Sequence, residues 1–153
     1  MKGLESLIDP EQHQVFLVSC PARVLFATHP WFVVNQKGSV SRWGVSFLLH
    51  EREESWGHLN RDLFPPFQGL PLFTASERHI LPSKVLGSVL GDEYSLAARM
   101  TDFILRSPEE YPFRDTYSLL GPNSNTYAQW VLDHFPEAPF RLPWNALGKT
   151  FQK

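Results

Sequence analysis

The order of patterns along this chain predicts an α+β fold: a single domain over residues 1–153, with an antiparallel β-sheet packed on helices. Three observations carry that prediction. Short runs rich in Val, Phe and Trp, punctuated by turn residues, crowd the region up to Leu49. Helix-type spacing of apolar residues appears only in the second half. A hydrophobic content of 42% over 153 residues supports one real core but not two domains. Any disorder is confined to the ends, at the start to residues 1–12.

The strands come first. Gln14 to Cys20 is a β-type run closed by Pro21, and Arg23 to Ala27 is a second that leads into His29-Pro30-Trp31-Phe32-Val33-Val34. Asn35-Gln36-Lys37-Gly38 is a turn signal, and Ser39 to Leu49 continues as a further strand. A turn centred on Gln36-Lys37 would set Val34 opposite Ser39 and His29 opposite Gly44. His29, Trp31, Arg42, Gly44 and Ser46 would then share one face of the hairpin. His50 to His58 is polar. Leu63 to Phe73 carries prolines that remove backbone donors, so it is read as a covering loop. Val85 to Arg106 has apolar residues near a 3.6 period and reads as a helix ended by Pro108. Thr116 to Leu120 fits a short strand. Ser124 to Phe135 fits a second helix stopped by Pro136. The apolar tail Leu142 to Lys149 is expected to pack back on the domain.

Bulk composition excludes several functions. The net charge is −2 and the 14 Lys and Arg residues form no stripe, which argues against a nucleic-acid partner or an anionic membrane. One cysteine, Cys20, permits neither an internal disulfide nor a Cys-based zinc site. The start lacks the apolar core of a signal peptide, and no run approaches the ~18 apolar residues of a membrane span. The expectation is a cytoplasmic protein without a transmembrane segment, unless an upstream signal was removed. No pattern calls for a metal or an organic cofactor. His50 and His58 lie among Glu51, Glu53 and Glu54, but the spacing matches no zinc pattern and a solvated face is expected. His79 falls in a loop-like run. His134 suits a helix C-terminus.

The most informative stretch is Tyr117 to Leu132, a loop that ends in Gly-Pro-Asn-Ser-Asn-Thr and runs into an amphipathic helix. Ser124 sits at the helix start, at the top of the buried face formed with Tyr127, Ala128 and Val131. Two readings stay open. Asn123 or Ser124 can be a helix cap. Alternatively, Ser124 can be a nucleophile beside unpaired N–H groups that would hold an oxyanion. A serine needs a base within hydrogen-bond reach, and His29, at a strand edge in an aromatic setting, is the preferred one of six histidines. Gly44 would leave space beside the imidazole. Ser46 could accept a bond from it, and Arg42 could hold an anionic group.

A histidine opening a hairpin strand (His29-Pro-Trp-Phe-Val-Val-Asn), followed by Tyr-x-Leu-Leu-x-x-Asn-nucleophile at a helix start, resembles the circularly permuted NlpC/P60-like papain superfamily. That superfamily includes lecithin retinol acyltransferase-like proteins. The resemblance spans about His29 to Leu132. It implies a permuted papain-like fold with His29 as base, Asn123 as the motif asparagine and Ser124 at the position of the usual cysteine. The chain is more closely similar to a bacterial family of unknown function marked by His-Pro-Trp-Phe, Gly-Pro-Asn-Ser-Asn-Thr and Leu-Pro-Trp-Asn-Ala-Leu-Gly-Lys. All three motifs are present, the last at Leu142 to Lys149. The departure from the papain pattern is the serine. A helix start and a nearby imidazolium hold a cysteine as thiolate because its pKa begins near ~8.5, whereas a hydroxyl must lose its proton during attack.

Two functions follow as expectations. One is an acyl hydrolase or acyltransferase acting on an amide, ester or thioester. Ser124 and His29 would be its catalytic pair, and Asn123, Asn125, Arg42, Trp31, Trp43 and Ser46 its oxyanion or substrate-binding set. The other is an inactive papain-like module binding a peptide, a lipid or a protein partner in a cleft walled by Trp31, Trp43 and the Leu63 to Phe73 loop.

Overall fold

The computed structural model describes residues 3–23, 26–73 and 78–152. Six antiparallel strands form the main sheet in the order β4-β5-β3-β2-β1-β8. In chain order they are β1 (His13–Pro21), β2 (Thr28–Gln36), β3 (Ser39–Val45), β4 (Ser55–Trp56), β5 (Leu59–Arg61) and β8 (Lys84–Gly91). Between the last two, β6 (Pro71–Phe73) and β7 (Arg78–Ile80) pair as a separate ribbon. Two helices follow, α1 (Leu96–Glu110) and α2 (Ser124–Asp133). This is an α+β arrangement in one small domain.

The alternation of β1 and β2 explains the two cores. Val15, Leu17, Phe32 and Val34 face α1 and α2 and bury Met100, Ile104, Tyr127 and Val131. Phe16, Val18, Cys20, Trp31 and Val33 face the other way, onto Phe67 and Leu70. The Leu63 to Phe73 stretch is thus a covering loop, as its prolines require, and its end becomes β6. Arg42 anchors it. The guanidinium lies 3.9 Å from the centroid of the Trp31 ring and donates to the Pro65 and Gln68 carbonyls. Residues 3–12 make a 3-10 turn at Leu4–Leu7 and are tied to the β2–β3 turn by Asn35 Nδ2, which donates to the Asp9 and Gln12 carbonyls.

Several expectations are corrected. The hairpin turns at Lys37-Gly38, with Gln36 opposite Ser39, because both turn residues adopt positive φ, at 50° and 99°. The pairing shifts by two in its sum, so the shared face of His29, Trp31, Arg42, Gly44 and Ser46 survives. Residues 85–91 are strand, not helix. Their apolar residues satisfy either period over so short a run, and Gly87 lets the tail cross, since a Cβ there would sit 2.5 Å from Phe140 Cβ. The helix starts only after Ser95. Pro108 does not end it but sits in its last turn. The missing Pro108 N–H would have bonded the Ile104 carbonyl, and Ser107 Oγ donates to that oxygen instead, at 2.6 Å. The strand after Ser39 stops at Val45; β4 arises within the polar stretch His50 to His58, and β5 directly after it. Residues 116–120 are loop, and α2 ends two residues before Phe135. The second run, 23–27, spans residues 24 and 25, outside the described residues; 26 and 27 are not strand. His79 lies in β7, opposite Leu72, rather than in a loop. The tail does pack back, burying Phe140, Leu142 and Ala146 in the helix-side core. Among the described residues, no helix is long and apolar enough to cross a membrane.

Candidate active site

Asn123 sets the site. Its extended backbone stops the incoming loop, and its Oδ1 accepts from the N–H groups of Asn125 and Thr126. Thr126 Oγ1 returns a bond by accepting from the Asn123 N–H, completing a capping box. The cap is therefore Asn123, and Ser124, the first helical residue, keeps its hydroxyl free of that duty. Asn123 Nδ2 donates to the carbonyls of Leu119 and Leu147, and Thr126 Oγ1 donates to that of Gly148. Asn125 Nδ2 donates to the carbonyls of Thr28 and Leu147. The Gly-Pro-Asn-Ser-Asn-Thr segment is thereby stitched to the tail motif and to the start of β2.

That stitching brings Ser124 to His29. β2 runs on past its last pair with β3, Phe32 opposite Trp43, and His29 lies in this extension. Ser124 Oγ is 3.0 Å from His29 Nδ1, with both residues buried. Burial, with the positive charges of Arg42 and Arg23 adding to it, pushes the His29 pKa down to about 3. The imidazole is neutral at ordinary pH. With its proton on Nε2, Nδ1 accepts from the Ser124 hydroxyl. Its ring is tilted against Trp31 at 5.9 Å between centroids. Among the described residues the imidazole makes no second hydrogen bond.

The pair opens on a cavity of about 560 Å³. Ala22, Ala27, Phe47, Leu70, Leu119, Leu120 and Leu147 give it apolar walls, and Arg23, Ser46, Tyr117, Asn123 and Asn125 add polar groups. Burial raises the Tyr117 pKa, so its hydroxyl stays protonated.

The chain belongs to the family described as a protein of unknown function (DUF3750). The match covers residues 11–151. No curated protein and no solved structure matches it significantly.

The expected binding set is only partly brought together. Ser46, Asn123 and Asn125 line the cavity with Ser124 and His29. Ser46 is held through its backbone N–H to the His58 carbonyl, and no bond joins its hydroxyl to the imidazole. Trp31 lies under the covering loop, with its indole N–H on the Pro66 carbonyl. Trp43 points to the opposite face, stacked on Trp56, because adjacent strand positions alternate. Arg42 is buried under the covering loop, with Nη1 on the Pro65 and Gln68 carbonyls, and does not line the cavity; burial pushes its pKa down to about 10. The helix-start donors are fewer than expected. Two of the first three N–H groups go to Asn123 Oδ1, leaving that of Ser124 itself. His58 is not on a solvated face: its Nδ1 accepts from the Leu48 N–H and its ring stacks on Phe47. No group of three His, Cys, Asp or Glu residues able to hold a metal occurs among the described residues. Cys20, opposite His29 in the ladder, accepts from the Leu70 N–H, and burial raises its pKa, so it is no reactive thiol.

Arg23, Tyr117, Leu119 and Leu120 were not anticipated as lining residues. The one signal for them was an apolar pair, Leu119-Leu120, in a loop directly before Gly121-Pro122.

Proposed function

We propose that this protein is an acyl hydrolase or acyltransferase with a papain-like arrangement, in which Ser124 attacks the carbonyl carbon of an amide, ester or thioester. The observation that carries this reading is the 3.0 Å contact between Ser124 Oγ and His29 Nδ1 at the wall of a substrate-sized cavity. The strand histidine preceding a helix-borne nucleophile supports the permuted papain-like reading of the fold.

In the attack the Ser124 proton passes to His29 Nδ1 as the Oγ–carbon bond forms. The carbonyl oxygen becomes an oxyanion facing the Ser124 N–H, with the protonated Tyr117 hydroxyl as a further donor in the cavity. A base whose pKa lies near 3 is weak in the resting site. The developing negative charge beside it favours the imidazolium, so His29 gains basicity as the reaction proceeds. Collapse breaks the bond to the leaving group, which takes the proton from Nδ1. Water or an acceptor then attacks the acyl-Ser124 ester with His29 again as base. The resting imidazole also fits a serine. A stored thiolate–imidazolium pair needs a charged histidine at rest, which burial beside Arg23 and Arg42 opposes.

Ser124→Ala should lower turnover of activated acyl esters by about a thousandfold or more and abolish labelling by a fluorophosphonate, with the far-UV spectrum unchanged. Full activity in that variant sinks the reading. A second reading, an inactive binding module, is favoured by one observation: among the described residues the imidazole has no third group to orient it. Absence of Ser124-dependent turnover across esters, thioesters and amides would establish that alternative.

His29 supplies a pH test. Its folded pKa is lowered, so the unfolded chain, near ~6.5, takes the proton first. The stability it contributes is present above that value and is lost as pH falls toward about 3. In an NMR titration the His29 ring protons should stay on the neutral shift from pH 8 down to about 4.5. A midpoint near ~6.5 would contradict the buried, neutral imidazole.

A further inference from the structure

We propose that the cavity beside Ser124 takes an anionic amphiphile: a substrate with an apolar chain and one carboxylate or phosphate that pairs with Arg23. The inference rests on the Ser124 reading for its reaction and on the cavity alone for its binding.

The two arginines of this side of the sheet differ in what they have left to offer. Arg42 is buried, its guanidinium stacked on Trp31 and its Nη1 donating to two loop carbonyls, and it does not line the cavity. Arg23 lines the cavity, is exposed, and uses only Nε, which donates to the Pro71 carbonyl at 3.0 Å. Among the described residues its two Nη groups meet no acceptor and no carboxylate. A guanidinium edge in that state is suited to a two-pronged contact with a planar or tetrahedral oxyanion. Among the described residues no acidic side chain lines the cavity to compete. The positive charge reaches the site, since His29 and Tyr117 both feel Arg23.

The rest of the wall calls for a chain. Leu119 and Leu120 are 61% and 77% exposed, Phe47 is 57% exposed, and all three line the same cavity. Isolated exposed apolar residues are ordinary. Several converging on one concave site, beside Arg23, match an apolar ligand with one charged end.

The test is calorimetric titration of the whole protein with decanoate, decyl phosphate, 1-decanol and decyltrimethylammonium. Wild type, Arg23→Gln, Arg23→Lys and Ser124→Ala are compared, each checked for an unchanged thermal transition. Wild type and Ser124→Ala should bind one or both anions at least about tenfold tighter than decanol and decyltrimethylammonium. Arg23→Gln should lose that preference while keeping decanol binding, and Arg23→Lys should recover part of it. The better anion separates a carboxylate from a phosphate source. Equal binding of anion and alcohol by wild type, or an unchanged preference in Arg23→Gln, overturns the proposal. Those outcomes leave Ser124-dependent turnover untouched. Conversely, loss of the serine reading with anion selectivity intact would leave the ligand class standing.

Discussion

Two serines stand at the two helix starts of this protein, and they do different things. Ser95 is itself the N-cap of α1: its Oγ accepts from the Ala98 N–H at 3.2 Å and donates to the Asp92 carbonyl. Ser124 stands one position further along, inside α2, with Asn123 in the capping role. The displacement by one residue separates a structural hydroxyl from an available one. A reactive serine at a helix start needs a better cap beside it, because otherwise the backbone N–H groups claim its oxygen.

Four substitutions test this contrast, and their expected effects on stability descend in order. Asn123→Ala removes the cap, strands the Leu119 carbonyl and leaves that of Leu147 to Asn125 alone, so it should cost about 3 kcal/mol in urea unfolding. A loss below about 1 kcal/mol would mean that the capping box and tail contacts are replaceable. Gly148→Ala should come next at about 2 kcal/mol. The residue sits at φ 95°, and a Cβ would lie 2.5 Å from Asn123 Nδ2. If it proves silent, the tail is not pressed against the cap as described. Ser95→Ala should cost about 1 kcal/mol, the ordinary loss for an N-cap, and leave any turnover intact. Ser124→Ala should change stability by less than about 1 kcal/mol although it should remove the proposed reaction. Destabilisation of Ser124→Ala equal to that of Asn123→Ala would reverse the assignment and make Ser124 structural.

Much of this was readable before the fold was known, for physical reasons that differ by residue. The face shared by His29, Trp31, Arg42, Gly44 and Ser46 depended only on strand alternation, so it survived a turn displaced by one residue. The start of α2 was marked by its own cap chemistry. What could not be read was decided by partners distant in sequence. Residues 85–91 became strand because β1 offered an edge and Gly87 admitted Phe140. Arg42 and Arg23 look alike as letters; one is buried with Nη1 on the Pro65 and Gln68 carbonyls, and the Nη groups of the other meet no acceptor among the described residues. The shortage of helix-start N–H groups follows from the double acceptance by Asn123 Oδ1, which residue identity alone does not announce.

The bonds from Asn123, Asn125 and Thr126 to the carbonyls of Leu147 and Gly148 reach 22 to 24 residues downstream. During synthesis, His29 and Ser124 leave the ribosome well before those carbonyls do. The nucleophile loop therefore waits for its last clasp until residue 148 has cleared the exit tunnel. A nascent chain halted shortly after α2 would hold both reacting groups but lack the contacts that set them 3.0 Å apart. On the Ser124 reading, activity would thus be withheld until residue 148 has emerged.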